Sequence, residues 1–330
     1  MKTFKTLLFS SLILVVLLLA YVTYMKDVTQ TTPNTPTEKK PVVCVSSFAL
    51  FDALKHIAKE RIELVNILPF GVDPHSFEPT PKLMGKVEKS ALVFYSGAGL
   101  EPWTDGFVFK NRAIEVAEFV RLRKIESTSV HHEDAEDAHH DEDEHRDEHP
   151  HHEHTGVDPH FWLDFANMKE VAALITQELS TLLPAYAQEF NENKKAYVRS
   201  LDLLQKAYKS KLSQCKIDTV VVNHNAIGYL ADNYGFKVVA LSGLSSEAQP
   251  SPKDLTRVFQ EIKKDHINTL FFENFVNSKV IERVAKDSGI SLKALQTLGN
   301  ITADEAKAGA TYETLMYENL TKLSEAMVCN

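Results

Sequence analysis

Residues 41–68 read PVVCVSSFALFDALKHIAKERIELVNIL, and the hydrophobic period changes twice along them. Val42–Val45 is a short unbroken apolar run, the pattern of a strand buried on both faces. Phe48–Lys59 spaces its apolar residues three and four apart, as an amphipathic helix does, and Ile62–Ile67 reads as a strand again. Outward from this unit the alternation continues, with a short helix over Pro81–Ser90 and a strand over Leu92–Tyr95. Strands alternating with helices predict parallel sheets covered by helices.

The middle of the chain breaks the alternation. Asn167 is placed to cap a helix over Met168–Leu183, which Pro184 ends or kinks. From Tyr186 to Ser213 there is neither Gly nor Pro, and Leu201, Leu204, Ala207, Tyr208 and Leu212 fall on one face. A helix of that length spans roughly 40 Å at about 1.5 Å per residue, more than one small domain needs. Alternation then resumes, with strands over Thr219–Val222, Lys237–Leu241, Thr269–Phe272 and Ser291–Leu295. Helices are expected over Ile227–Tyr234, from Ser251 to about Asp265, over Ser278–Asp287 and over Tyr312–Met327. Ser251 begins its helix well, with Pro252 at the first helical position and Asp254 in the first turn. The expected fold class is α/β. Two lobes with parallel sheets, residues 41–185 and 215–330, are joined by a long rigid helix over 186–214.

The formal net charge is −9, but it is not spread evenly. Residues 131–154, HHEDAEDAHHDEDEHRDEHPHHEH, hold 11 of the 45 Asp and Glu, nine of the 14 His and a single basic residue, Arg146. Without them 35 basic residues face 34 acidic ones, so the rest of the chain is close to neutral. It has no strongly basic surface for nucleic acid. The insert has no apolar side chain larger than Ala and Pro and is expected to be disordered. Three cysteines exclude a disulfide scaffold; Cys44 sits in an apolar run, while Cys215 and Cys329 are available to pair in an oxidising compartment. At the N-terminus, Lys2 and Lys5 precede the apolar run Leu7–Val22, a pattern that keeps the start cytoplasmic and exports the rest of the chain. Residues 1–26 read as a cleaved signal peptide or a membrane anchor, and 27–40, rich in Thr and Pro, as a flexible linker. No Cys stands just after the run to carry a lipid.

The pentapeptide GVDPH occurs twice, at Gly71–His75 and Gly156–His160. In each copy Gly permits an unusual turn and Pro fixes φ in front of the His, so each presents one imidazole at a loop mouth. His224, in VVVNHNAIGYL, lies directly after a strand and before a helix, where open α/β sheets bind ligands. His56, on a helix, and His266, at a helix end, have no such context and read as ordinary hydrogen-bonded residues. Three neutral imidazoles suit Zn2+ and leave one tetrahedral position for water or a carboxylate.

DPHSFEPTP (Asp73–Pro81), the His- and acid-rich insert, DPHFWLD (Asp158–Asp164), NHNAIGYLADNYG (Asn223–Gly235) and QPSPKDL (Gln249–Leu255) succeed one another in the chain. This order resembles the periplasmic zinc- and manganese-binding proteins of ABC transporters, the ZnuA-like family. FFENF (Phe271–Phe275) and the terminal YETLMYENL fit as well, so the resemblance covers about Pro41 to the end. It rests on the set, since each motif alone is weak. The resemblance implies two α/β lobes joined by a rigid helix, with one metal in the cleft between them. The ligands it implies are His75, His160 and His224. It further implies a high-affinity zinc-binding protein that captures Zn2+ outside the cytoplasmic membrane and delivers it to the membrane permease of an ABC transporter. Such a protein is periplasmic, acts as a monomer, and is tethered to the inner membrane if its N-terminal segment is retained. The insert stands where the zinc-binding branch carries one.

One departure concerns the fourth ligand. The family often supplies an Asp near the metal from a late segment like D-P-L-G, and here LQTLG puts Gln296 at that position. An amide oxygen is a poor Zn2+ ligand beside a carboxylate, so the fourth place falls to water or to a nearby acid such as Glu273, at the end of a strand. Keeping three His while losing an acid favours Zn2+ over Mn2+. A manganese-binding homologue or a metal-dependent adhesin would use the same fold and site. A zinc metallohydrolase would need a base beside the open position; Glu273 is the one candidate, and the H-E-x-x-H signature is absent. The expected role is binding, with no catalytic residues. The insert is expected to gather zinc weakly and pass it to the site. Affinity is expected to fall below about pH 6, where imidazoles with an ordinary pKa near ~6.5 take up protons. Phe77, Trp103, Phe161 and Trp162 are expected in the core or at the lobe interface.

Overall fold

The computed structural model describes residues 18–21, 39–125, 156–242, 250–274 and 279–330. The apolar run Leu7–Val22 and the linker 27–40 lie mostly outside these residues, and the insert 131–154 lies wholly outside them. No helix of the described residues is long and apolar enough to cross a membrane. Residues 41–330 form one unit, separate from 1–40.

The first sheet comprises β1 (Val42–Val45), β2 (Glu63–Asn66), β3 (Leu92–Tyr95) and β4 (Ala113–Glu115), all parallel in the order β2-β1-β3-β4. The helices α1 (Phe48–Ala58) and α2 (Pro81–Val87) make its crossovers. α2 stops short of the expected Ser90. The Val87 carbonyl accepts instead from the Ser90 hydroxyl and the Asn111 amide, so side chains satisfy the end that another helical turn would have satisfied.

Two short strands that the hydrophobic pattern does not announce, β5 (Arg123–Lys124) and β6 (Val157–Asp158), pair antiparallel. With Ile125 N–H donating to Gly156 C=O at 2.8 Å, they bring together the chain on either side of residues 126–155. α3 (Phe165–Leu182) begins earlier than expected, because Asp164 rather than Asn167 is its cap and accepts from the Ala166 amide at 2.8 Å. Asn167 is buried and clamps the Arg121 backbone, accepting its N–H at 3.0 Å and donating to its C=O at 2.9 Å. α4 (Ala187–Lys211) is the long helix, 25 residues, with Phe190, Tyr197, Leu201, Leu204 and Tyr208 buried along one side.

The second sheet comprises β7 (Thr219–His224), β8 (Lys237–Ser242), β9 (Thr269–Phe272) and β10 (Ser291–Ala294), parallel in the order β10-β9-β7-β8. Its helices are α5 (Gly228–Tyr234), α6 (Pro252–Lys264) and α7 (Lys279–Ser288). At the start of α6 the Ser251 hydroxyl and the Asp254 carboxylate cap each other's backbone amides, as the sequence leads one to expect. After α8 (Ala303–Lys307), α9 (Tyr312–Ala326) returns to lie on α4 and α1. One hydrophobic cluster therefore runs from Val43 and Trp162 through Tyr208 to Val220 and Leu315, joining both sheets through the long helix. This is the α/β architecture expected, with two parallel sheets and a helical spine.

A second tie is made by hydrogen bonds. α1 has no side-chain cap, and the amides of Phe48 and Ala49 donate to the carbonyls of Gly299 and Leu298 at 2.9 and 3.2 Å. The segment after β10 thus satisfies the orphan amides of a first-lobe helix. Next to it the Asn300 amide donates to the Pro69 and Val72 carbonyls at 2.7 Å, and Trp162 Nε1 donates to Thr297 C=O at 2.6 Å.

Cys215 and Cys329 form a disulfide across 114 residues of sequence, and Cys44 is a buried free thiol. A cross-link closing so long a loop restricts the unfolded chain strongly. Replacing both cysteines by Ser should lower unfolding stability by about 2–5 kcal/mol, read from denaturant midpoints with and without reductant. Equal midpoints for both forms would show that the bond contributes nothing.

Candidate metal centre

The two GVDPH loops fold alike. Gly71 and Gly156 have φ of +87° and +110°, a region that side chains resist. In each loop the Asp carboxylate folds back on the His amide: Asp73 Oδ1 accepts from His75 N–H at 2.9 Å, and Asp158 Oδ1 from His160 N–H at 3.0 Å. The repeat in sequence is therefore a repeat in structure. In the second copy the same oxygen lies 2.8 Å from Nδ1 of His160. An ionised carboxylate only accepts, so Nδ1 carries the proton and Nε2 presents its lone pair.

His224 is the last residue of β7, paired with Ser242 of β8, rather than a residue of the loop after it. The strand extends because β8 continues alongside it and the Ser242 hydroxyl donates to the Asn223 carbonyl at 2.9 Å. Nδ1 of His224 faces the Asn223 amide at 3.2 Å, and Asn223 Oδ1 accepts the Glu273 N–H at 3.2 Å.

The structure brings His75, His160 and His224 together. Their ring centroids stand 5.4, 5.6 and 6.0 Å apart, and one nitrogen from each lies within 4.8 Å of the others. Two rings come from the first lobe and one from the second. His160 and His224 are buried, and His75 is half-buried. Just past β9, buried Glu273 places Oε1 3.3 Å from Nε2 of His224. Neither atom has a hydrogen-bond partner among the described residues. Buried polar atoms of this kind are usually answered by a partner, and here a water or a metal ion would supply one. Two donor atoms bound at about 2.0–2.1 Å to a tetrahedral zinc stand about 3.3 Å apart, which is the spacing of this pair. Gln296 faces elsewhere: its side-chain amide donates to Glu305, and its backbone is held by Asn319.

Burial sets the protonation of the cluster. It lowers His75 to about 4, helped by the neighbouring His160, and pushes His224 well below the ordinary imidazole value. Both rings are therefore neutral at pH 7, with lone pairs available. Burial raises Glu273 to about 7, against a hydrogen bond from Thr297. The fall in affinity expected of imidazoles below about pH 6 thus moves lower for His75 and His224, and Glu273 becomes the group that titrates near neutrality.

His56 stands apart, with Nδ1 2.9 Å from the Asp52 carbonyl and its ring against Tyr197; the Asp52 carboxylate raises its pKa. His266 is not part of the cluster. Phe161, Trp162 and Trp103 are buried and Phe77 packs partly buried in the first lobe, while the Trp162 ring meets His160 edge-on at 5.6 Å. The role of Asp158 is not evident from the sequence, although Asp before Pro-His in both repeats is the signal that marks it.

Nitrogen donors from two parallel α/β lobes, meeting in the interior where the lobes join, define a metal-binding protein of the two-lobed solute-binding class. Residues 43–326 match the family model described as ZnuA, zinc-uptake complex component A periplasmic, and the chain belongs to that family. It is 29% identical over 290 residues to the high-affinity zinc uptake system protein ZnuA of Bacillus subtilis, covering 87% of each. It is 28% identical over 287 residues to the zinc-binding lipoprotein AdcA of Streptococcus pneumoniae, covering 86% of this chain and 55% of that protein. The solved Zn(II)-bound ZnuA-like domain of Streptococcus pneumoniae AdcA matches with a TM-score of 0.69 at 26% identity, over 87% of this chain and 99% of that one. The chain thus spans about half the length of the AdcA relatives it matches.

Proposed function

We propose that this chain captures Zn2+ outside the cytoplasmic membrane and delivers it to the permease of an ABC transporter, with His75, His160, His224 and Glu273 as the ligands. The observation that carries this is the pair of orphaned atoms, His224 Nε2 and Glu273 Oε1, 3.3 Å apart beside two further imidazoles. Three nitrogens and one carboxylate make a set that suits tetrahedral Zn2+, whereas Mn2+ prefers more oxygen. Glu273 is the base candidate that the sequence offers for a hydrolytic water, and as a metal ligand it is committed elsewhere, which supports a binding role. Residues 41–185 and 215–330 act as the two lobes about the helix 186–214. The protein works as a monomer on the periplasmic side, with residues 1–26 as export signal or anchor, and nucleic acid is not a partner. The insert 131–154 collects zinc weakly; its flanks meet at β5 and β6, and β6 ends two residues before His160.

Substituting His75→Ala, His160→Ala or His224→Ala should each weaken zinc binding by at least roughly 100-fold in calorimetric or chelator-competition titrations, whereas His56→Ala should leave it unchanged. Wild-type affinity in any of the first three would remove that residue from the ligand set.

Glu273 gives a pH signature with a definite sign. In the metal-free protein it holds a proton below about pH 7. A metal that binds its carboxylate must displace that proton, so apparent affinity should fall about tenfold per pH unit below 7 and level off above it. Glu273→Gln should bind more weakly at pH 8 and lose that slope between pH 5 and 7. An identical slope in both proteins would show that Glu273 is not a ligand.

A further inference from the structure

Behind His160 lies a group of charges that contributes no donor to the three-histidine cluster. Asp158 is fully buried. One of its oxygens serves His160, and the other makes no hydrogen bond but lies 3.5 Å from Nη1 of Arg123. A buried carboxylate needs a compensating charge, and Arg123 supplies one. The same guanidinium donates through Nε to Asp232 of α5 at 2.7 Å. The backbone repeats the link: Arg123 N–H donates to the Tyr229 hydroxyl at 2.8 Å, and that hydroxyl donates to Asp158 C=O at 2.8 Å. Gly228 leaves the space for this. A Cβ there would lie 2.6 Å from Nη1 of Arg123 and 2.9 Å from Oδ2 of Asp158.

These contacts cross between lobes. Arg123 and Asp158 belong to the β5–β6 pair, whereas Gly228, Tyr229 and Asp232 lie on α5, which begins four residues after His224. The path from one imidazole to another is therefore short: His160, Asp158, Arg123, then α5 and the end of β7. We propose that Arg123 is a positioning residue of the metal centre, latching the β5–β6 pair to α5 so that His160 and His224 approach at the separation zinc needs. Its rigid planar fork holds Asp232 through Nε and faces Asp158 through Nη1 in one fixed geometry, whereas a lysine offers a single ammonium on a flexible stem. The latch rests on the zinc-binding role of the histidines.

The test uses the full chain and its Arg123→Ala, Arg123→Lys and Asp232→Asn variants. Zinc affinity is measured by chelator competition, and site geometry by the visible absorption of bound Co2+. Wild type should bind zinc. Arg123→Ala should bind it roughly 10–100-fold more weakly, the usual cost of removing support behind a ligating imidazole, with an altered cobalt spectrum. Arg123→Lys should not restore either property. Asp232 is largely exposed, so Asp232→Asn keeps the fold and should weaken binding in the same direction by a smaller factor. If wild type binds zinc while Asp232→Asn and any folded Arg123 variant match it in affinity and cobalt spectrum, the latch is wrong. If Arg123→Ala does not fold, Asp232→Asn decides by the same criterion. If wild type itself binds no zinc, the fault lies with the zinc-binding role, and the latch falls with it.

Discussion

Imidazole nitrogens withdrawn from water must be answered by something else, and in this chain the answer is assembled from both lobes. His75 and His160 stand on loops of the first lobe, and His224 ends a strand of the second. Burial keeps His75 and His224 neutral, which would be costly if their lone pairs had no use. The arrangement exists only while the lobes hold their relative position. Several features fix that position: a hydrophobic cluster continuous through α4, the capping of α1 by the carbonyls of Leu298 and Gly299, and the hydrogen bonds of Asn300 and Trp162. The seam lies beside both ligand loops, so the interactions that fix the fold also fix the distances between donors.

Much of this is local information and can be read from the sequence. Parallel strands buried on both faces are short apolar runs, and β1 and β3 fall where those runs are. The two GVDPH copies carry their turn chemistry in five residues, so their likeness in space is a direct consequence. Other features depend on partners far away in the chain. β4 has one buried residue in three and is recognisable only through its pairing with β3. Asp164 and Asn167 are both good caps, and the choice between them is made by the Arg121 backbone, which occupies Asn167. His224 belongs to β7 because β8 runs on beside it. Arg123 lies in the basic run Arg121-Leu122-Arg123-Lys124 and looks like one of several solvated cations until α5 is placed against it.

Position 296, where the resemblance leads one to expect an Asp, carries Gln. Gln296 keeps a structural use, bonded to Glu305 and framed by Asn319, while Glu273, just past β9, places its carboxylate beside His224. The charge distribution has a similar logic. The −9 of the whole chain comes from residues 131–154, and the body that forms the lobes is nearly neutral. Negative charge is thus concentrated on a histidine-rich stretch whose flanks meet beside His160, not spread over the surface around the site.

A crystal structure of the zinc-loaded protein, with anomalous differences collected on both sides of the zinc absorption edge, tests the ligand assignment most directly. The predicted result is one strong peak between the lobes, with a nitrogen from each of His75, His160 and His224 and an oxygen of Glu273 at about 2.0–2.2 Å. A peak held by other residues, or a zinc at this place with the Glu273 carboxylate turned away from it, would contradict that assignment.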